Sequence, residues 1–168
     1  MTAPLPSGPD VRQAEAFELA ECQAILADSI LGQYFEPELA AQILGQAREN
    51  GELFVAVIEG KVAGFYVHAP RGSFLVFSYL HLLAVRSAQR GTGVGAQLLA
   101  HLERTTLEAR GYPFRPKIFL LVSAQNRRAL RFYRRHGYLR KATIDDMFGE
   151  GDTEFLMMKD LGNKPNGR

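Results

Sequence analysis

Residues 74–102 constrain this chain more than any other stretch. Residues 74–85 form a long run rich in aromatic and β-branched residues, which predicts a central strand. Val94, Leu98 and Leu102 then recur four apart. That spacing predicts a helix over 94–110, stopped at Gly111-Tyr112-Pro113. Between strand and helix lies Gln89-Arg90-Gly91-Thr92-Gly93-Val94-Gly95. Three glycines let the backbone turn tightly and let an anion approach the main chain. The helix start adds free N–H groups and a positive dipole end. This combination suits a pyrophosphate, with Arg90 adding charge.

A glycine-rich turn with no ligand is the plain alternative. A P-loop needs Lys-Ser or Lys-Thr after the glycines, and none follows here. Gly91-x-Gly93-x-x-Ala96 does match the dinucleotide fingerprint G-x-G-x-x-[GA]. That fingerprint expects a carboxylate at the end of the next strand. The next apolar run ends Leu120-Leu121-Val122-Ser123-Ala124, with no carboxylate, and hairpins rather than a parallel βαβ unit precede the loop.

The rest of the chain supplies a mixed sheet. Residues 11–14 predict a short strand, and 15–30 and 36–50 predict helices, the second with Pro37 in its first turn. Residues 54–58 and 62–67 read as a hairpin joined at Glu59-Gly60-Lys61. Residues 118–122 suit a strand covered on both faces. Residues 126–136 predict a helix stopped by Gly137, and strands are expected at 138–147 and 153–159. The order is β-α-α-β-β-β-α-β-α-β-β, an α/β (α+β) arrangement with helices on the faces of the sheet. At 168 residues the length fits one domain, expected over 10–161, with tails at 1–9 and 162–168.

Composition narrows the function classes. The formal net charge of +2 gives no global pull toward nucleic acid or membrane. No apolar run has the length of a membrane span, and the start lacks the features of a secretory signal, so a cytoplasmic location is expected. A single cysteine, Cys22, excludes an intrachain disulfide and a Cys-based metal cluster; it reads as a buried helix filler.

Residues 82–95, Leu-Leu-Ala-Val-Arg-Ser-Ala-Gln-Arg-Gly-Thr-Gly-Val-Gly, resemble the acetyl-CoA-binding motif of the GNAT superfamily, [QR]-x-x-G-x-[GA], with Arg90, Gly93 and Gly95 filling its core. A second match lies at 126–138, Asn-Arg-Arg-Ala-Leu-Arg-Phe-Tyr-Arg-Arg-His-Gly-Tyr, which is similar to N-x-x-A-x-x-F-Y-x-x-x-G-[FY]. The family's usual proline after the strand is Ser87 here. The two motifs occur in the family's order and spacing, and the resemblance spans about residues 10–160.

The resemblance implies a mostly antiparallel sheet of six to seven strands with about four helices. It implies N-acetyl transfer from acetyl-CoA to an amine by direct attack, without a metal. Pantetheine would pair with Leu83, Ala84 and Val85. The pyrophosphate would lie on Arg90, Gly91, Thr92, Gly93, Val94 and Gly95, and Asn126 would bond the donor. Tyr133 takes the place of the family's general acid; a core tyrosine is its plain alternative. Some relatives carry a glutamate base five residues ahead of the asparagine, where this chain has Leu121. The stretch Tyr79-Leu80-His81 resembles the arylalkylamine acetyltransferases, which carry two histidines two apart, and only the second is matched. His81 is thus a candidate base acting through water, with a strand histidine as the alternative. Tyr34, Phe35, Tyr79, His81 and the loop around Phe148 are expected to form the acceptor pocket.

An acceptor with a lysine-like pKa must lose a proton at a cost of about 4.6 kcal/mol at pH 7. The basic run Arg127, Arg128, Arg131, Arg134, Arg135, Arg140 and Lys141 reads as a solvated helix face rather than a nucleic-acid surface. Asp145, Asp146, Glu150, Asp152 and Glu154 read either as a charged loop or as a field that attracts cationic amines. The partner expected is a small-molecule or peptide amine, with a homodimer left open. A CoA-binding sensor or interaction module without turnover is the rival function.

Overall fold

The computed structural model describes residues 8–109 and 114–162. The tails read at 1–9 and 162–168 fall mostly outside those residues, and the helix stop at 111–113 falls wholly outside them. The strands are β1 (Asp10–Gln13), β2 (Leu53–Ile58), β3 (Lys61–Ser73), β4 (Phe77–Val85), β5 (Lys117–Ser123), β6 (Leu139–Asp145) and β7 (Thr153–Asp160). The helices are α1 (Leu19–Ala27), α2 (Pro37–Glu49), α3 (Val94–Glu108) and α4 (Arg127–Arg135). The strands form one seven-stranded sheet in the order β1-β2-β3-β4-β5-β7-β6, so β4 is central, as its composition predicts. The pairings β1–β2, β2–β3, β5–β7 and β6–β7 are antiparallel, and β4–β5 is parallel. The described residues divide into two compact units: those up to His68 with Leu82–Leu102, and Ala69–His81 with those from Glu103 onward.

In the first unit, α1 and α2 bury Cys22, Ile25, Leu26, Ala40, Leu44 and Ala47 against Val55, Phe65, Val67 and Leu82 of the strands. Cys22 is sealed here, and burial, followed by the charges of Glu18 and Glu21, pushes its thiol up to about 12. It is a packing residue. The single helix expected over 15–30 is broken at both ends by side chains. Glu18 accepts from the Glu15 N–H at 2.7 Å and takes a two-pronged bond from Arg12 at 2.9 and 2.8 Å, which holds Ala16–Glu18 in a 3₁₀ turn. At the far end the Ser29 hydroxyl donates to Leu26 O at 2.7 Å and accepts from Leu31 N, starting a separate 3₁₀ turn over Ile30–Tyr34.

The same unit contains a close backbone approach. A Cβ on Gly64 of β3 would lie 2.8 Å from Ala84 O, 3.1 Å from Leu98 Cδ1 and 3.3 Å from Val85 Cα. Glycine at 64 therefore lets β3 lie tight against the end of β4 and the start of α3. Gly64→Ala should lower the unfolding free energy by about 1–3 kcal/mol, because main-chain atoms must shift. Gly45→Ala is the contrast: nothing lies within 4 Å of that position inside α2. It should raise stability by up to about 1 kcal/mol through helix propensity. Denaturant midpoints of the two variants, moving in opposite directions, check the pair.

The β3–β4 hairpin differs from expectation at its tip. Phe74 and Leu75, read as the start of the central strand, have φ of 52° and 63°, and Val76 N bonds Ser73 O at 3.2 Å. Positive φ at both central residues gives the type I′ geometry that matches strand twist. The strand begins at Phe77. β3 in turn runs on through Pro70 to Ser73 rather than ending at 67.

In the second unit, β5 pairs with β7 along its whole length, from Lys117↔Asp160 to Ser123↔Glu154. Its pairing with β4 covers Ser78↔Ile118, Tyr79↔Phe119 and Leu80↔Leu120. α4 buries Leu130 and Tyr133, while Arg127, Arg128, Arg131, Arg134 and Arg135 are exposed, the solvated face predicted. Gly137 follows at φ 86° and ends the helix.

Candidate active site

In the first unit the glycine loop leaves a 3₁₀ turn at Ser87–Gln89 and enters α3 at Val94. Gly91 and Gly93 have φ of 83° and 95°, and a Cβ at either would meet nothing within 4 Å. Backbone conformation, not crowding, requires glycine at both. The first helical bond of α3 from outside the helix is Gln97 N to Gly93 O at 3.1 Å. Among the described residues the N–H groups of Gly91, Gly93, Val94, Gly95 and Ala96 donate to no backbone carbonyl. A row of unbonded amides at a helix start fits an anion with several oxygens.

Arg90 has a structural task that the sequence does not announce. Its Nε donates to Val85 O at 3.0 Å, and its Nη2 donates to Asp28 O at 2.9 Å and to Asp28 Oδ2 at 3.3 Å. The guanidinium ties the loop to the end of β4 and to the C-terminus of α1. Of the strand residues read as donor-binding, Ala84 is buried, Leu83 and Val85 are half-buried, and the Val85 carbonyl is the one Arg90 holds. Thr92 is exposed, and its hydroxyl donates to Gln89 O at 2.7 Å. Tyr34 is 45% exposed at the end of its 3₁₀ turn, and Phe35 packs partly buried on the core of α1 and α2.

In the second unit Asn126 caps α4, its Oδ1 accepting from Ala129 N at 3.1 Å. Its Nδ2 donates to nothing among the described residues, so the same side chain caps the helix and keeps a donor for a ligand. Tyr133 is 8% exposed, with ring centroids of Phe132 and Tyr138 at 5.2 and 5.6 Å. Its hydroxyl has no hydrogen-bond partner among the described residues, yet the oxygen is not among the sealed, unpaired polar atoms. Burial holds the phenol well above its ordinary pKa. A phenol raised in this way keeps its proton at neutral pH, as an acid requires. Tyr138 is fully buried beneath it and is pushed up further, by burial and then by the charge of Glu103. Glu103 in turn bonds Lys159 Nζ at 2.7 Å. This Glu103–Lys159 pair beside the tyrosines was not foreseen, since the partners lie 56 residues apart.

Tyr79 and His81 share a face of β4, as alternation predicts, with ring centroids 4.7 Å apart. Tyr79 is half-buried and His81 exposed. Burial, then the charge of Glu154, raises the Tyr79 phenol, while a backbone hydrogen bond with Leu121 opposes them. The acidic run divides by structure. Asp145 Oδ1 accepts from the Thr153 hydroxyl and Asp146 Oδ1 from Gly151 N, both at the exposed β6–β7 turn. Glu154 is 5% exposed and belongs to the sheet, which makes it the functional candidate that sequence reasoning passed over. Only its parity with Leu156 and Met158 along β7 marks it out. Among the described residues no group of three or more His, Cys, Asp or Glu side chains is placed to hold a metal ion.

The profile of the acetyltransferase (GNAT) family matches residues 16–138. An uncharacterised N-acetyltransferase of Methanocaldococcus jannaschii is 32% identical over 116 residues, which is 68% of either chain. The solved structure of Ard1 from Thermoplasma volcanium superposes with a TM-score of 0.77 at 22% identity, covering 94% of this chain and all of that one. That of an aminoglycoside 6′-N-acetyltransferase complexed with coenzyme A gives 0.73 at 17% identity, covering 94% and 99%.

Proposed function

This chain belongs to the acetyltransferase (GNAT) family, and from that premise we propose that it transfers the acetyl group of acetyl-CoA directly to an amine. The observation that carries the reading is the set of unbonded amides of Gly91, Gly93, Val94, Gly95 and Ala96 at the start of α3. Those amides hold the pyrophosphate, with Leu83 and Ala84 offering main chain to the pantetheine and Asn126 Nδ2 a further donor. The donor supplies an acetyl thioester. Tyr133 gives its proton to the departing sulfur, and the face carrying Tyr79 and His81 receives the amine. The acceptor is a small or peptide amine met in the cytoplasm, not a nucleic acid or a lipid.

A panel of alkylamines, amino acids, aminoglycosides and peptide N-termini with acetyl-CoA, read by release of free thiol, tests this. Thiol release that depends on one class of amine is expected. Tight binding of CoA with no release from any amine would assign the chain to the non-catalytic CoA-binding modules instead.

A further inference from the structure

Glu154 is the second residue of β7, opposite Ser123 of β5 and Ile144 of β6. Register and alternation put it on the sheet face that carries Leu121 and Ser123 of β5. Tyr79 pairs with Phe119, so Tyr79 and His81 stand on that face too. A carboxylate is costly there. Glu154 is 5% exposed, no hydrogen bond or ion pair joins its carboxylate to another described residue, and its oxygens are not among the sealed, unpaired polar atoms. Leaving a buried carboxyl unpaired destabilises a fold, and an isosteric neutral group is normally better tolerated. Packing therefore gives no reason for this residue, and β7 continues on the same face with the apolar Leu156 and Met158.

Its surroundings suit a proton acceptor. The titratable groups around it are Asp152 on its own chain segment and Tyr79 from β4, with His81 beyond it. None of these neutralises it. Burial and then Asp152 hold the carboxyl above its usual range, toward the pH at which an amine must be deprotonated.

We propose that Glu154 takes the proton of the acceptor amine, with Tyr79 as the wall of the amine subsite, so that the acceptor class is a primary amine arriving as its ammonium ion. This rests on the amine-acetylating function above, and it gives Glu154 the role that the sequence suggests for His81. Glu154 removes one proton from the ammonium and releases it to water. The nitrogen lone pair forms the C–N bond, and the C–S bond breaks with its electron pair on sulfur. Tyr133 protonates that sulfur. The second proton, lost by the new amide nitrogen, restores Tyr133 through solvent, so one proton is released overall.

Glu154→Gln is the test, assayed with the best alkylamine of the panel and with an aromatic amine already neutral at pH 7. The variant should lose about 10²-fold in kcat with the alkylamine and less than about threefold with the aromatic amine. The acid limb of its kcat/KM profile should disappear. His81→Ala should keep that limb. Stability gives an independent reading. A raised folded-state pKa means that the folded chain binds more protons, so wild-type stability falls as pH rises through the carboxyl's range. The Gln variant should thus melt higher than wild type at neutral pH, with the difference shrinking in acid. If Gln unfolds the chain, Glu154→Asp substitutes for it, with a lowered kcat and the acid limb retained. Equal losses with both amines, or a wild-type rate and profile, would overturn the assignment of Glu154 alone. A wild-type chain that releases thiol with no amine overturns the amine reading itself, and Glu154 with it.

Discussion

Phenylalanine in place of Tyr133 should cut kcat by about 10²-fold or more while leaving the melting temperature and the affinity for acetyl-CoA close to wild type. The two halves of this expectation come from different atoms of one side chain. The ring of Tyr133 is packed against Phe132 and Tyr138 and stays in place in the variant. The hydroxyl bonds nothing among the described residues, so its loss orphans no buried partner. What disappears is a proton held at the surface of a buried ring. A CoA thiolate near pKa ~8.5 and an ordinary phenol near ~10 are mismatched by about 2 kcal/mol. Burial widens the gap by about 1.4 kcal/mol for each unit. That remains small against the 8 kcal/mol or more that enzymes typically remove from a barrier, in order-of-magnitude terms. Burial also fixes the sign of the pH dependence: with the phenol held above its usual range, the wild-type rate should show no basic limb from Tyr133 below about pH 10. A core tyrosine with no part in the chemistry would give the opposite pattern, with unchanged turnover and at most a lower melting temperature. Stopped-assay kcat beside a thermal melt separates the two.

The order of elements was fully legible because it rests on periodicity, and periodicity survives folding. α3 and α4 bury the faces their spacing marks, α2 instead buries Ala40, Leu44 and Ala47 and leaves Leu39 exposed, and Ile118–Val122, an unbroken apolar run, lies within β5 in the sheet interior. The misreadings fall where a single side chain or turn overrides composition. Phe74 and Leu75 are strand formers, but the two-residue turn needs positive φ at that place and takes them out of the strand. Ala69-Pro70-Arg71-Gly72-Ser73 has the composition of a loop, yet it is strand because β4 lies beside it as a partner. The glycine loop was legible as a positive-φ turn into a helix because its requirement is conformational and glycine is the direct signature of it. The commitment of Arg90 was not, since Asp28 lies 62 residues away and nothing local announces it. Glu154 was hidden in a different way. It closes a run of five acidic residues, of which Asp145, Asp146 and Glu150 are exposed at the turn. Charge counting treats them alike, and only strand parity separates the last from the rest.

Gly93→Ala should raise the KM for acetyl-CoA by about tenfold or more, equivalent to about 1.4 kcal/mol, with a stability loss of only about 1–2 kcal/mol. The stability term is backbone strain. Gly93 sits at φ 95°, where an L-residue is unfavourable, and the added Cβ touches no protein atom within 4 Å. The binding term is separate. On the proposed function the anion lies beside this loop, and a methyl group at position 93 competes with its oxygens for the loop's N–H groups. Gly60→Ala separates the two effects. Gly60 lies in the β2–β3 turn at φ 75°, also with nothing within 4 Å, and so carries the same kind of strain away from the loop. It should lose a similar amount of stability and keep the wild-type KM for acetyl-CoA. If the two variants bind acetyl-CoA alike, the loop is a structural turn and the amides at the start of α3 do not hold the donor. If Gly93→Ala alone loses affinity at matched stability, the cost lies in the contact between main chain and anion.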